Sequence, residues 1–116
     1  MATRTIALDA FGGDHCPHVE VEAAVLAARA GQHVILVGDR TKLLPQLAIL
    51  GISRYGGEDG IRVHHASDVI AMDDVPSKVV RSKPDASMLV CFDLVRRGEA
   101  AAVVSAGNSG AMLACG

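Results

Sequence analysis

The sequence predicts a parallel α/β domain in which helices cover both faces of a single sheet, a three-layer α/β/α arrangement. Short apolar runs rich in β-branched residues alternate with stretches of helical period along the 116 residues. The run HVILV is continuous rather than alternating apolar with polar, which is typical of a strand buried on both faces. Hydrophobic residues make up 50% of the chain and charged residues 21%, as expected for a folded domain rather than a disordered segment.

The first strand and helix are defined by their boundaries. Residues 5–8 form a short apolar strand with Asp9 at its carboxyl end. After a glycine loop, Pro17 suits the first turn of a helix, and Gly31 ends that helix. One face of the helix carries Val21, Val25 and Ala28. Residues 33–37, HVILV, are the second strand.

A second helix and a third strand follow. Gly38 and Asp39 turn the chain into the helix, where Pro45 is expected to produce a kink or an early end. The apolar stripe of this helix consists of Leu43, Leu47 and Leu50. A glycine-rich loop at residues 53–60 leads into the third strand, residues 61–65.

The last part of the chain repeats the alternation. Pro76 opens a helical stretch that Pro84 interrupts, and Gly98 ends the amphipathic helix that comes next. The apolar positions of that helix are i, i+3, i+4 and i+7, namely Met88, Cys91, Phe92 and Val95. Residues 101–104 are the fourth strand, and residues 107–116 begin a further helix.

Three polar loops follow strands and mark the expected ligand edge, and the first and the last of them contain glycines. They cover residues 9–16, 66–74 and 105–111. Ligands of open parallel sheets bind outside the carboxyl ends of the strands, so we expect these loops to lie together.

The loop SAGNSGA combines a strand end with a helix start. Small residues allow close approach of a ligand to the backbone, and the first turn of a helix offers free N–H groups and a favourable dipole for an anion. Ser105, Asn108 and Ser109 add side-chain donors. Asn108 and Ser109 equally suit a simple capping role, and a capped helix end is also an anion site.

The loop DAFGGDHCPH offers glycines for a tight turn, and Asp9 and Asp14 to orient a donor. It matches neither a P-loop nor the G-x-G-x-x-G fingerprint. The adjacent side chains of Asp14, His15 and Cys16 do not easily converge on one ion, so we predict no metal site. A thiol nucleophile at Cys16 is equally weakly supported, because a cysteine near two histidines is common by accident.

The middle loop and its surroundings carry charge without a defined motif. Asp73 and Asp74 suit the start of a helix, and Lys78, Arg81 and Lys83 follow them. Their default interpretation is a solvated face, with contact to an anionic substrate as the alternative.

Composition excludes several classes of protein. The net charge is −2, and nothing predicts a nucleic-acid surface. The longest apolar runs are far too short to span a bilayer, and the start MATRTIALDA lacks the apolar core of a signal peptide. The odd number of cysteines, three, indicates free thiols in a reducing compartment. We therefore expect a cytoplasmic protein.

Four collinear segments resemble the PlsX family of acyl-acyl-carrier-protein:phosphate acyltransferases. They are IALDAFGGDHCP, VILVGD, VHHASDVIAMDDVPSKVVRSKPDASM and AAVVSAGNSGAML, and together they cover nearly the whole chain. The family pattern is close to DAMGGD, HASEVI-x-M-D-D-x-P, K-x-x-S-S-M and SAGNTGA. This sequence departs from it at Phe11, Ala86 and Ser109, the last of which keeps the hydroxyl of the usual threonine. Cys16 and His18 match nothing fixed in the pattern.

The resemblance implies a fold, a reaction and a set of partners. The fold is a Rossmann-like domain of the phosphotransacetylase and isocitrate dehydrogenase type, of which residues 1–116 are a truncated N-terminal part. The reaction transfers a fatty acyl group from acyl-acyl-carrier-protein to inorganic phosphate, and the acyl phosphate feeds phospholipid synthesis. No cofactor is implied. Homodimerisation and peripheral membrane association are expected from the missing part of the protein.

The resemblance and the loop chemistry together give a set of expected site residues. The expected catalytic residues are His15 and Asn108. The expected phosphate-binding residues are Gly12, Gly13, Asp14, Ser105, Gly107 and Ser109. The expected supporting residues are Asp9, His65 and Lys83.

Two other classes of function remain open at the level of the sequence. One is a nucleotide-binding Rossmann-like domain, against which the lack of G-x-G-x-x-G counts. The other is a non-catalytic fragment that keeps the fold alone.

Overall fold

The computed structural model describes residues 4–11, 17–54, 60–67 and 86–105. These residues form one sheet and three helices. The strands are β1 (Thr5–Asp9), β2 (His33–Gly38), β3 (Ile61–His65) and β4 (Ala102–Val104). The helices are α1 (His18–Arg29), α2 (Arg40–Ile49) and α3 (Ser87–Arg96). Every strand pair is parallel, so the predicted fold class is confirmed.

The order of the strands defines a topological switch point. Across the sheet the order is β3-β2-β1-β4. The chain moves outward from β1 to β3 and then returns past β1 to place β4 on its other side. A topological switch point therefore lies between β1 and β4, and ligands of open parallel sheets bind at the carboxyl ends of the strands at such a point.

Two apolar clusters cover the two faces of the sheet. On one face, α1 and α2 pack Val21, Val25, Leu43 and Leu47 against alternate strand residues that include Leu36. On the other face, α3 packs Cys91 and Leu94 against Ala7, Ile35 and Val37. Right-handed crossovers account for this division, because the chain reverses its direction across the sheet between β3 and β4. Both faces of β2 are buried, which explains its unbroken apolar run, while on β1 Ile6 and Leu8 are only partly buried.

The structure departs from the sequence expectations in the details of two helices. α2 continues through Pro45 to Ile49, so the expected early end is absent. The buried residues of α3 are Ser87, Met88, Cys91 and Leu94. Of the expected stripe, Met88 and Cys91 are buried, Val95 is partly buried and packs against the apolar cluster, and Phe92 is only partly buried. The helical stretch expected after Pro76 and the helix expected at residues 107–116 lie outside the described residues.

Ion pairs join the opposite, amino edge of the sheet to the turn between α3 and β4. Arg62 Nη2 on β3 lies 2.7 Å from Glu99 Oε1, and Arg97 Nη2 lies 3.1 Å from Glu99 Oε2. Arg97 also contacts Asp93, one helical turn earlier. In the described part of the chain, no helix has the length and apolar character needed to cross a membrane.

Candidate anion site at the switch point of the sheet

The register of β1 and β4 brings two predicted site residues together. Leu8 pairs with Val104, so Asp9, which ends β1, and Ser105, which follows β4, lie side by side at the carboxyl edge. Ser105 Oγ donates to Asp9 Oδ2 at 2.9 Å, although the two residues are 96 positions apart. Asp9 and Ser105 therefore lie together, as expected for the carboxyl ends of these two strands.

Asp9 is a buried carboxylate that accepts three hydrogen bonds from residues in the described part of the chain. Its relative exposure is 2%. Oδ1 accepts from the backbone N–H of Phe11 at 3.1 Å and from Ser87 Oγ at 2.5 Å, while Oδ2 takes the Ser105 hydroxyl. Burying a charge is costly unless such donors surround it, so the three bonds are a condition of its burial.

Ser87 connects this carboxylate to the start of α3. It is the first residue of the helix and is 1% exposed, and its partner on β1 is 78 positions away. Sequence reasoning overlooked Ser87. A signal was available, because a serine four positions before Cys91 continues the buried stripe of the helix, and a polar group on such a stripe requires a buried partner.

Cys91 lies one turn further along α3 and is fully buried. Burial raises the pKa of its thiol, and the nearby negative charge of Asp9 raises this pKa further. A thiol of this kind stays protonated at neutral pH and is a poor nucleophile. Cys91 is therefore a packing residue of the α3 face.

Phe11 fixes the start of the loop that follows β1. Its side chain is buried and lies against Gly38 at the end of β2, where a Cβ atom would overlap its ring. Lys42 Nζ sits 5.8 Å from the ring centroid. The usual methionine of the family pattern is thus replaced by a ring that fills the space above a glycine.

His65 lies at the same edge of the sheet but away from Asp9. It ends β3, two strands or about 10 Å from β1. Its Nδ1 accepts from the backbone N–H of Arg40, the first residue of α2. His65 therefore holds the start of a helix, and the structure does not bring it to Asp9 and Ser105.

The remaining predicted site residues lie outside the described residues. These are Gly12, Gly13, Asp14, His15, Lys83, Gly107, Asn108 and Ser109. The contact expected between residues 12–14 and residues 105–109 remains a prediction, because Ser105 is the one of these residues that the structure describes. Within the described ranges, no group of three or more His, Cys, Asp or Glu side chains is arranged to hold a metal ion.

The fold and the buried network define a class: a parallel α/β domain with strand order 3-2-1-4 and a polar pair at its switch point. Comparison with known proteins gives the family. The model of the family described as "Fatty acid synthesis protein" matches residues 4–116. The chain belongs to this family.

Curated relatives of the chain share one name, "Phosphate acyltransferase". The relative from Geobacter sulfurreducens is 54% identical over 112 residues, which are 96% of this chain and 31% of that protein. A relative from an Anaeromyxobacter species is 49% identical over 109 residues, 94% of this chain and 30% of its own. The protein of Methylococcus capsulatus is 51% identical over 112 residues, 95% of this chain and 32% of its own. The chain thus spans under a third of the length of these relatives.

Proposed function

We propose that residues 1–116 form the N-terminal part of a phosphate acyltransferase. The enzyme moves a fatty acyl group from acyl-acyl-carrier-protein to inorganic phosphate and so produces acyl phosphate for phosphatidic acid synthesis. The observation that carries this proposal is the Asp9–Ser105 pair at the switch point, in a chain about half identical to proteins named for this activity.

The chemistry needs few special groups. Phosphate is the nucleophile and attacks the thioester carbonyl, and a thiolate leaves. A thiol has an ordinary pKa of about 8.5, so its departure needs little acid assistance. The enzyme must hold an anion against a carbonyl and stabilise the oxyanion that develops. Two glycine loops and a helix N-terminus are suitable parts for this task. Buried Cys91, with its raised pKa, supplies no competing nucleophile.

The roles of individual residues are part of the proposal. Gly12, Gly13, Asp14, Gly107 and Ser109 bind phosphate or phosphopantetheine together with Ser105. Asn108 donates a hydrogen bond to the reacting anion, and His15 assists proton transfer. Lys83 steers anions toward the site, while Asp9 and His65 hold the strand ends, as their hydrogen bonds support.

The partners and the location complete the proposal. Acyl-acyl-carrier-protein and inorganic phosphate are the substrates, and the reaction takes place in the cytoplasm without nucleic acid or cofactor. Homodimerisation and peripheral membrane association depend on parts of the protein outside this chain.

An acyl-transfer assay on the full-length protein tests the proposed function. Acyl-acyl-carrier-protein and inorganic phosphate are supplied, and acyl phosphate is trapped as the hydroxamate. We expect phosphate-dependent product that saturates with both substrates. Absence of product, together with binding of a nucleotide at the same edge of the sheet, would favour the nucleotide-binding alternative instead.

A further inference from the structure

The face of β1 and β4 that lies opposite α3 is an open apolar groove. On this face Val104 is 48% exposed and Leu8 is only partly buried, and Ala23 and Ala27 of α1 form the other wall of the groove. On the α3 face of the same strands, by contrast, Ala7 is fully buried. Strands of a parallel sheet are normally covered on both faces, so the groove is a surface that lacks its cover.

The helices that connect the described strands do not cover this groove. α1 and α2 connect β1, β2 and β3, and they pack on the sheet beside the groove. α3 leads back to β4 on the opposite face. A right-handed connection from β4 to a further strand beyond it would again place its helix on the α3 face. A cover for the groove therefore has to come from a more distant part of the protein or from another molecule.

Glu20 adds a polar requirement next to the groove. It precedes Ala23 and Ala24 on α1 by three and four residues, so it lies on the helix face that lines the groove. Glu20 is 9% exposed, and its buried Oε1 accepts no hydrogen bond from the described residues. A buried carboxylate oxygen without a donor is costly, so we expect the covering segment to supply a donor.

We propose that an apolar segment of the full-length protein, from beyond residue 116, fills this groove and places a lysine or arginine beside Glu20. The named relatives are about three times as long as the matched segment, which leaves ample chain to supply it. A second copy is a poorer occupant, because the groove follows β4, a strand of three residues and about 10 Å. A stable dimer interface needs about 800 Å² on each partner, far more than this groove offers. The inference concerns the assembly of the domain and does not depend on the proposed reaction.

Thiol labelling of the folded full-length protein tests whether the groove is covered. Ala23→Cys places a thiol in the groove, at a position that is exposed in this chain. Leu26→Cys is the matched control on the outer face of the same helix, where Leu26 is 66% exposed. Peptide mass spectrometry locates the iodoacetamide label, and each rate is divided by that of the same variant unfolded in urea. We expect Ala23→Cys to react at least about tenfold more slowly than Leu26→Cys, whereas rates within about twofold would overturn the proposal.

Thermal unfolding of full-length variants tests the basic partner of Glu20. Glu20→Gln removes the charge and keeps the shape of the side chain, so it should lower the Tm by at least about 5 °C if a buried ion pair is lost. Glu22→Gln, at an exposed position on the same helix, should change the Tm by less than about 2 °C. A Tm of Glu20→Gln equal to or above that of the wild type would overturn the proposal, because removing an unpaired buried charge does not destabilise a protein.

Photo-cross-linking identifies the occupant of the groove. A diazirine amino acid replaces Val104 in an equal mixture of isotopically light and heavy full-length protein. We expect cross-links from position 104 to residues beyond 116 of the same chain, with a single isotopic label in each cross-linked pair. Cross-linked pairs of mixed label would identify a second copy as the occupant and overturn the proposal, and so would cross-links confined to residues 1–116.

Discussion

Ser87 shows how a single hydroxyl can position a buried charge. Its oxygen is 2.5 Å from Asp9 Oδ1, and both residues are buried. Ser87→Ala removes one donor from a carboxylate that remains in the interior. We expect the free energy of unfolding to fall by about 1.5–3 kcal/mol, the range for a hydrogen bond to a charged group. Urea unfolding measures this loss.

Ser53→Ala provides the matched control for Ser87→Ala, because Ser53 is exposed. Its effect on stability should stay within about 0.5 kcal/mol. Equal effects of the two substitutions would show that the Ser87 hydroxyl contributes nothing to the stability of the network.

Asn108 is predicted to donate a hydrogen bond to the reacting anion, although it lies outside the described residues. In the full-length protein, Asn108→Ala should lower kcat/KM by about ten- to a hundredfold if its hydrogen bond to the anion tightens in the transition state. If Asn108 only caps a helix, the variant should lose about 1 kcal/mol of stability instead. Steady-state kinetics and thermal unfolding of one preparation decide between these two roles, and unchanged kinetics would remove Asn108 from the site.

At the level of elements, the contact between the loop after β1 and the end of β2 depends on Gly38. A Cβ atom there would overlap the Phe11 ring, so Gly38→Ala forces the ring to move. We expect a loss of about 1–3 kcal/mol, as for other overpacked interiors. Phe11→Leu in the same protein should recover part of this loss, and a double-mutant cycle by urea unfolding measures the coupling. Additive effects of the two changes would contradict the predicted contact.

The ion pairs at the amino edge of the sheet predict a pH dependence of stability. A hydrogen bond from Arg62 lowers the pKa of Glu99 below its ordinary value of 4.5, and the charges of nearby Arg97 and Arg62 lower it further. A carboxyl whose pKa is lowered on folding stabilises the fold above the unfolded pKa and loses that contribution as the pH falls through the folded pKa. The stability difference between wild type and Glu99→Gln should therefore be present near neutral pH and shrink below about pH 4.5.

Unfolding midpoints in urea at several pH values check this trend. Glu22→Gln is the control, because Glu22 is an exposed carboxyl whose partner is His18 on the same helix. A difference between wild type and Glu99→Gln that does not change with pH would exclude the proposed role of the Glu99 charge.

The elements also show how far the sequence alone determines this molecule. The alternation of strands and helices and the place of Asp9 at a strand end follow from periodicity, and the meeting of Asp9 with Ser105 follows from the geometry of parallel sheets. The partner of Ser87 could not be identified in the same way, because Asp9 lies 78 positions away along the chain. Apolar periodicity alone does not indicate which buried polar groups bind one another.

For the whole molecule, the activity is expected to need more than this chain. The named relatives are about three times as long as the matched segment. We expect the isolated 116-residue chain to form no acyl phosphate in the assay that detects the full-length protein. A rate for the isolated chain near that of the full-length protein would contradict this.

The sequence distance across the Asp9 network has a consequence for the order of folding. The pairings β1–β2 and β2–β3 join strands that are consecutive along the chain, whereas β1 pairs with distant β4 and the hydroxyl partners of Asp9 are 78 and 96 positions away. Contacts that close long loops form late, because the entropy of loop closure is lost before the contacts can stabilise the fold. During synthesis, the carboxylate of Asp9 should therefore stay hydrated until β4 has left the ribosome. Its desolvation then becomes a late step, which pulsed hydrogen exchange can time at the amides of β4.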